Sequence, residues 1–96
     1  MDFDDELLNL AYNGMGIAGE SGELVDKLKK VIRDDKGTPS KKRLELIKLE
    51  MGDVLWYLAQ VANKLGIAFE DVAQANLDKL SNRQSRNKLR GDGDQR

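Results

Sequence analysis

The sequence predicts an all-α protein, an antiparallel bundle of about four helices. Three observations point there. The chain is rich in Leu, Ala, Glu and Lys and holds a single proline in 96 residues, a composition that favours helix. Its apolar residues recur at spacings of three, four and seven, the helical period. No alternating apolar–polar run is long enough to argue for a strand.

A first helix is expected over residues 3–13, ending at Gly14. A second should run from Ile17 to Asp34, with an apolar stripe of Ile17, Leu24, Leu28 and Val31. Residues 35–40 form the connector, where Thr38 is placed to cap the next helix and Pro39 to be its first residue. That third helix spans residues 39–65 with a stripe of Ile47, Met51, Val54, Leu58, Val61 and Leu65, and Gly66 ends it. A fourth covers residues 69–83. Ala68 is a poor cap for it, but Glu70 and Asp71 suit the positive end of its dipole. Residues 84–96 make a C-terminal tail, with Gly91, Asp92, Gly93 and Asp94 non-helical. All 96 residues belong to one domain.

The chain contains neither Cys nor His. That excludes disulfides, thiolate or imidazole metal ligands and Ser-His-Asp triads. Any metal must be held by oxygen, which favours Mg²⁺ and allows Mn²⁺. The net charge of −1 conceals segregation. Residues 1–26 carry seven acidic and no basic groups, whereas residues 27–49 carry nine basic and three acidic. This pattern argues against nonspecific nucleic-acid binding by bulk charge. No apolar run approaches the ~20 residues of a membrane span, and the N-terminus lacks a signal-peptide pattern, so a cytoplasmic location is expected.

Two acid pairs carry the chemistry: Glu20/Glu23 and Glu50/Asp53. Residues three apart share a helix face. Taking Leu24 and Val54 as zero, the first acid of each pair falls near roughly −40° and the second near −100° at ~100° per residue. One acid of each pair thus lies within the apolar stripe, where an unpaired carboxylate costs several kcal/mol. Both pairs also lie roughly 21–24 Å from the connector at ~1.5 Å rise per residue. An antiparallel hairpin therefore brings them side by side, and a divalent cation is the simple remedy for their repulsion. Gly22 and Gly52 fall away from the acid stripe and are expected to allow close approach of another helix.

The neighbouring residues read alike. They are Gly16-Ile17-Ala18-Gly19-Glu20-Ser21-Gly22-Glu23-Leu24, then Glu50-Met51-Gly52-Asp53-Val54-Leu55-Trp56-Tyr57, then Ala75-Asn76-Leu77-Asp78-Lys79-Leu80. Together they resemble the MazG-like, all-α nucleoside triphosphate pyrophosphohydrolase superfamily, whose pattern is E-x-x-E followed by E-x-x-D. The resemblance covers about residues 8–96. It implies Mg²⁺-dependent hydrolysis of a (deoxy)nucleoside triphosphate to the monophosphate and pyrophosphate, in nucleotide-pool housecleaning. It also implies a homodimer or homotetramer. By that match Glu20, Glu23, Glu50 and Asp53 are catalytic metal ligands, and Asn76 and Lys79 contact the nucleotide.

The other polar residues near these blocks support more than one role. Lys79 and Arg83 share a face with Asn76 and can neutralise phosphate oxygens or stand solvated. Lys27 either balances the acids, reaches phosphate or makes an ordinary i,i+4 pair. Tyr57 lies on the acid side of its helix, to stack on a base, bond a ligand or fill the core. Trp56 and Leu49 form an apolar back face that suits a subunit interface. Which of the four acids serves as general base stays open, with a slight preference for Glu23. The alternative from another class is a noncatalytic helical interaction module, in which neutralising the acids changes stability alone.

Overall fold

A computed structural model describes residues 5–90, with side chains to residue 87. Among the described residues there are three helices and no strand: α1 (Glu6–Asp34), α2 (Lys41–Lys64) and α3 (Phe69–Arg90). The chain divides into two units between Leu65 and Gly66. The first is a hairpin of α1 and α2; the second contains α3. No described helix is long and apolar enough to cross a membrane.

The expected first and second helices are one. Gly14 and Gly16 lie within α1, and the positive backbone φ angles belong to Lys36, Gly37 and Gly66 instead. Glycine weakens a helix by about 1 kcal/mol against alanine but ends it only where the chain turns left-handed. Gly14 has no positive φ, and Gly16 just beyond it meets Tyr57 of α2, so the helix continues. Asp5 begins it, with Oδ1 accepting from the backbone N–H of Leu7 at 2.8 Å and of Leu8 at 3.2 Å.

Thr38 does not cap α2. Ser40 does, its Oγ accepting from the Arg43 N–H at 3.1 Å. Thr38 instead closes the connector turn, donating its N–H to the Asp35 carbonyl at 3.1 Å. The hairpin end is tied by Arg43, which grips the Asp35 carboxylate through Nε at 2.9 Å and a second guanidinium nitrogen at 3.3 Å. Arg43 holds the Asp35 carboxyl below its ordinary range. Leu65 caps the end of α2, and Gly66 follows at φ 72° as expected. The expected fourth helix runs on past residue 83 to Arg90, because no glycine or proline intervenes before Gly91. The expected non-helical tail at residues 91–94 lies outside the described residues.

The seam between α1 and α2 corrects the expected stripes. Half-buried or buried positions include Leu10, Asn13, Ile17, Glu20, Leu24, Lys27 and Val31 on α1, and Arg43, Ile47, Glu50, Val54, Tyr57, Val61 and Lys64 on α2. Their spacing alternates three and four, the heptad pattern of two helices packed along a seam. Ile17, Leu24, Val31, Ile47, Val54 and Val61 sit there as expected. Leu28, Met51, Leu58 and Leu65 do not; each is exposed, and the residue before it faces the seam. The seam is therefore polar at several steps. Asn9 and Asn13 are fully buried, with Asn13 Nδ2 donating to the Asn9 carbonyl at 2.8 Å. Gly22 and Gly52 do not mediate close approach within the described residues, since a Cβ on either would meet open space.

The caps make a direct comparison. Ser40→Ala should cost about 1 kcal/mol of stability in urea denaturation, whereas Thr38→Ala should cost less than about 0.5 kcal/mol.

Candidate metal and nucleotide site

The antiparallel hairpin brings Glu20 of α1 against Glu50 and Asp53 of α2. One carboxylate oxygen from each lies within 4.8 Å of the others. Glu20 and Glu50 are half-buried because each occupies a seam position; Asp53, three residues after Glu50, stands on the exposed rim. Glu23 likewise stands exposed on the rim of α1 and is not part of this group of three. The structure thus gathers three of the four expected acids.

Lys27, also in the seam, places Nζ 3.1 Å from Glu50 Oε1, with the two side chains only 18% and 16% exposed. Lys27 thus pairs with an acid across the hairpin. Lys30 pairs within its own helix, with Asp26 at 3.0 Å. One lysine does not satisfy the cluster: Glu50 Oε2 is buried and meets no hydrogen-bond donor.

Burial raises the Glu20 carboxyl above its ordinary value of 4.5, helped by its contact with Glu50 and by the charges of Asp53, Glu50 and Glu23. Two ionised carboxylates cannot donate to one another, so a proton or a cation must bridge them. Three carboxylates with one orphaned buried oxygen fit a hard divalent cation, which takes oxygen ligands and fills its remaining positions with water or phosphate.

One turn further along the seam, Tyr57 is half-buried. Its ring meets Trp56 edge-on at 5.0 Å between centroids, and its hydroxyl is hydrogen-bonded to Tyr12. Burial, then Tyr12, pushes the Tyr57 phenol up. The sequence reading had missed Tyr12, Asn9, Asn13 and Gly16. Counting back by fours from Ile17 and Glu20 finds Asn13, Asn9 and Gly16; nothing in the pattern marks Tyr12.

In the second unit, Asn76 and Lys79 are exposed and Arg83 is half-buried, spaced three and four apart on one face of α3. Gln74 Nε2 donates to Asp78 Oδ1 at 3.0 Å on the same helix.

The raised Glu20 carboxyl fixes the sign of a pH effect. The folded chain holds this proton more tightly than the unfolded chain, so it contributes stability below about pH 4.5 that is lost as pH rises through the folded value. Without divalent metal, the thermal midpoint should fall as pH rises above about 4.5. Glu20→Gln should flatten that fall; an unchanged profile in the variant would assign the effect elsewhere.

The family described as "MazG nucleotide pyrophosphohydrolase domain" matches residues 10–87. The chain is 41% identical over 92 residues to the Gene 37 protein of Mycobacterium phage L5, covering 96% of this chain and 81% of that protein. No solved structure matches the chain. With its family pattern spanning both acid pairs and the α3 block, the chain belongs to the MazG nucleotide pyrophosphohydrolase domain family.

Proposed function

We propose that this chain is a Mg²⁺-dependent nucleoside triphosphate pyrophosphohydrolase, with Mn²⁺ able to replace Mg²⁺. It converts a (deoxy)nucleoside triphosphate to the monophosphate and pyrophosphate, and serves in clearing the nucleotide pool. The observation that carries this reading is the convergence of Glu20, Glu50 and Asp53 on one point, with Glu50 Oε2 buried and without a donor.

In this reading Glu20, Glu50 and Asp53 hold the ion. An ion held by these three residues would supply charge neutralisation for triphosphate oxygens and Lewis acidity. Glu23, outside the converged set yet three residues from Glu20, is the general base. It takes the proton of a water whose oxygen forms the new bond to the α-phosphorus, while the bond from that phosphorus to the departing pyrophosphate oxygen breaks. Lys27 steadies Glu50 and leaves its second oxygen for the ion. Asn76, Lys79 and Arg83 contact the nucleotide, the two cations matching phosphate charge. Tyr57 lines the nucleotide side of the acids.

The same reading includes a homodimer or homotetramer. Leu28, Met51, Leu58 and Leu65 face away from the hairpin seam, and Trp56 and Leu49 are 49% and 62% exposed. Apolar rows of this extent suit burial against another copy.

Pyrophosphate release from a panel of nucleoside triphosphates with Mg²⁺ tests the activity. Glu50→Gln should lower kcat/KM about a hundredfold or more. Undiminished turnover in that variant, or no turnover by the unaltered chain on any nucleotide, refutes the assignment. Light scattering should give two or four times the 10.8 kDa chain mass, and Leu58→Glu should lower that mass.

A further inference from the structure

Among the described glycines, Gly16 alone is crowded. A Cβ built on Gly14, Gly19, Gly22 or Gly52 would meet nothing, whereas one on Gly16 would overlap Cδ1, Cε1 and Cζ of the Tyr57 ring. The ring therefore lies directly on the α1 backbone at Gly16. Trp56 meets the ring edge-on, and the hydroxyl is tied to Tyr12, which lies four residues before Gly16 on α1.

This contact adjoins the acids. Gly16 precedes Glu20 by four residues, and Tyr57 follows Asp53 by four. On an antiparallel hairpin, the Gly16–Tyr57 step and the Glu20–Glu50/Asp53 step are neighbouring turns of the same seam. The separation of the helix backbones at the first step constrains the second. That constraint matters because the acid oxygens already lie within 4.8 Å of one another. Two oxygens on one Mg²⁺ are separated by at most about twice the ~2.1 Å bond. Oxygens at the 4.8 Å limit must draw together to share an ion, and a wider helix separation opposes that.

We propose that Gly16 and Tyr57 act as a spacer that sets the helix separation at the acid site, so that metal affinity depends on two positioning residues lying outside the group of acids. This inference rests on the metal reading of the site. Gly16 lets the ring reach the backbone, and the ring holds the helices at the distance the acids require. The phenol's bond to Tyr12 fixes the ring's orientation; the aromatic ring itself is the spacer.

Mn²⁺ titration calorimetry on the full chain, with helicity followed by circular dichroism, tests the proposal. Gly16→Ala should weaken Mn²⁺ binding about tenfold or more, although alanine favours helix over glycine. Gly19→Ala, facing open space, should leave the affinity unchanged. Tyr57→Phe keeps the ring and should stay within about threefold of the unaltered chain. In a Tyr57→Val background, Gly16→Ala should change affinity less than about twofold, because no ring remains for the new Cβ to meet. If Gly16→Ala alone does not fold, folding of Gly16→Ala/Tyr57→Val equal to that of Tyr57→Val supports the spacer.

A folded Gly16→Ala with full Mn²⁺ affinity overturns it. So does an equal loss, of affinity or of folding, in both backgrounds. Failure of the unaltered chain to bind Mn²⁺ would defeat the metal reading and this inference together, whereas the variant pattern alone defeats only the spacer.

Discussion

Like charges confined to a helix seam are the constraint on which this molecule turns. A two-helix interface ordinarily excludes unpaired carboxylates, because desolvation and mutual repulsion both act against their ionised forms. Here Glu20 and Glu50 occupy seam positions, and Asp53 stands at the rim beside them. Lys27 answers one oxygen of Glu50 and leaves the other without a donor. The raised carboxyl of Glu20 is the same conflict seen in protonation. An acid cluster whose chemistry suits a hard cation is, without one, a destabilised stretch of seam.

The rest of the hairpin is built around that stretch. At the connector end, Arg43 clamps Asp35 and joins the start of α2 to the end of α1. On the other side of the acids, one turn along, Tyr57 sits on the backbone at Gly16, with Tyr12 beside it. The acids lie between these ties. Two helices free to slide would relieve repulsion by moving the acids apart; helices tied on both sides of the acids keep them together. Such local disagreement with good packing is expected at a functional site, where the surrounding structure must hold what the site itself opposes.

The seam also departs from an apolar core elsewhere. Asn9 and Asn13 are buried, and Lys27, Arg43 and Lys64 face inward. Meanwhile Leu28, Met51, Leu58 and Leu65 face outward. The hairpin thus keeps polar groups in its seam and leaves large apolar side chains on its outer faces.

Much of this was legible without coordinates. Helical periodicity places Glu20 with Glu23, and Glu50 with Asp53, on common faces, and rise per residue sets both pairs at one height above the connector. These quantities depend only on regular backbone geometry and on where the turn falls. The same regularity identified Gly66 as a stop and α3 as a helix. Other features were decided by packing between helices. Gly14 does not end a helix; the chain turns left-handed only at Lys36, Gly37 and Gly66 among the described residues. Ser40 rather than Thr38 caps α2, because the connector turn takes Thr38. Lys27 reaches across to Glu50, and the inward face is turned one residue from the leucine stripe. Composition and period determine which residues share a face; only the packed hairpin decides which face points inward and what each polar group meets there, because those outcomes depend on side chains distant in sequence.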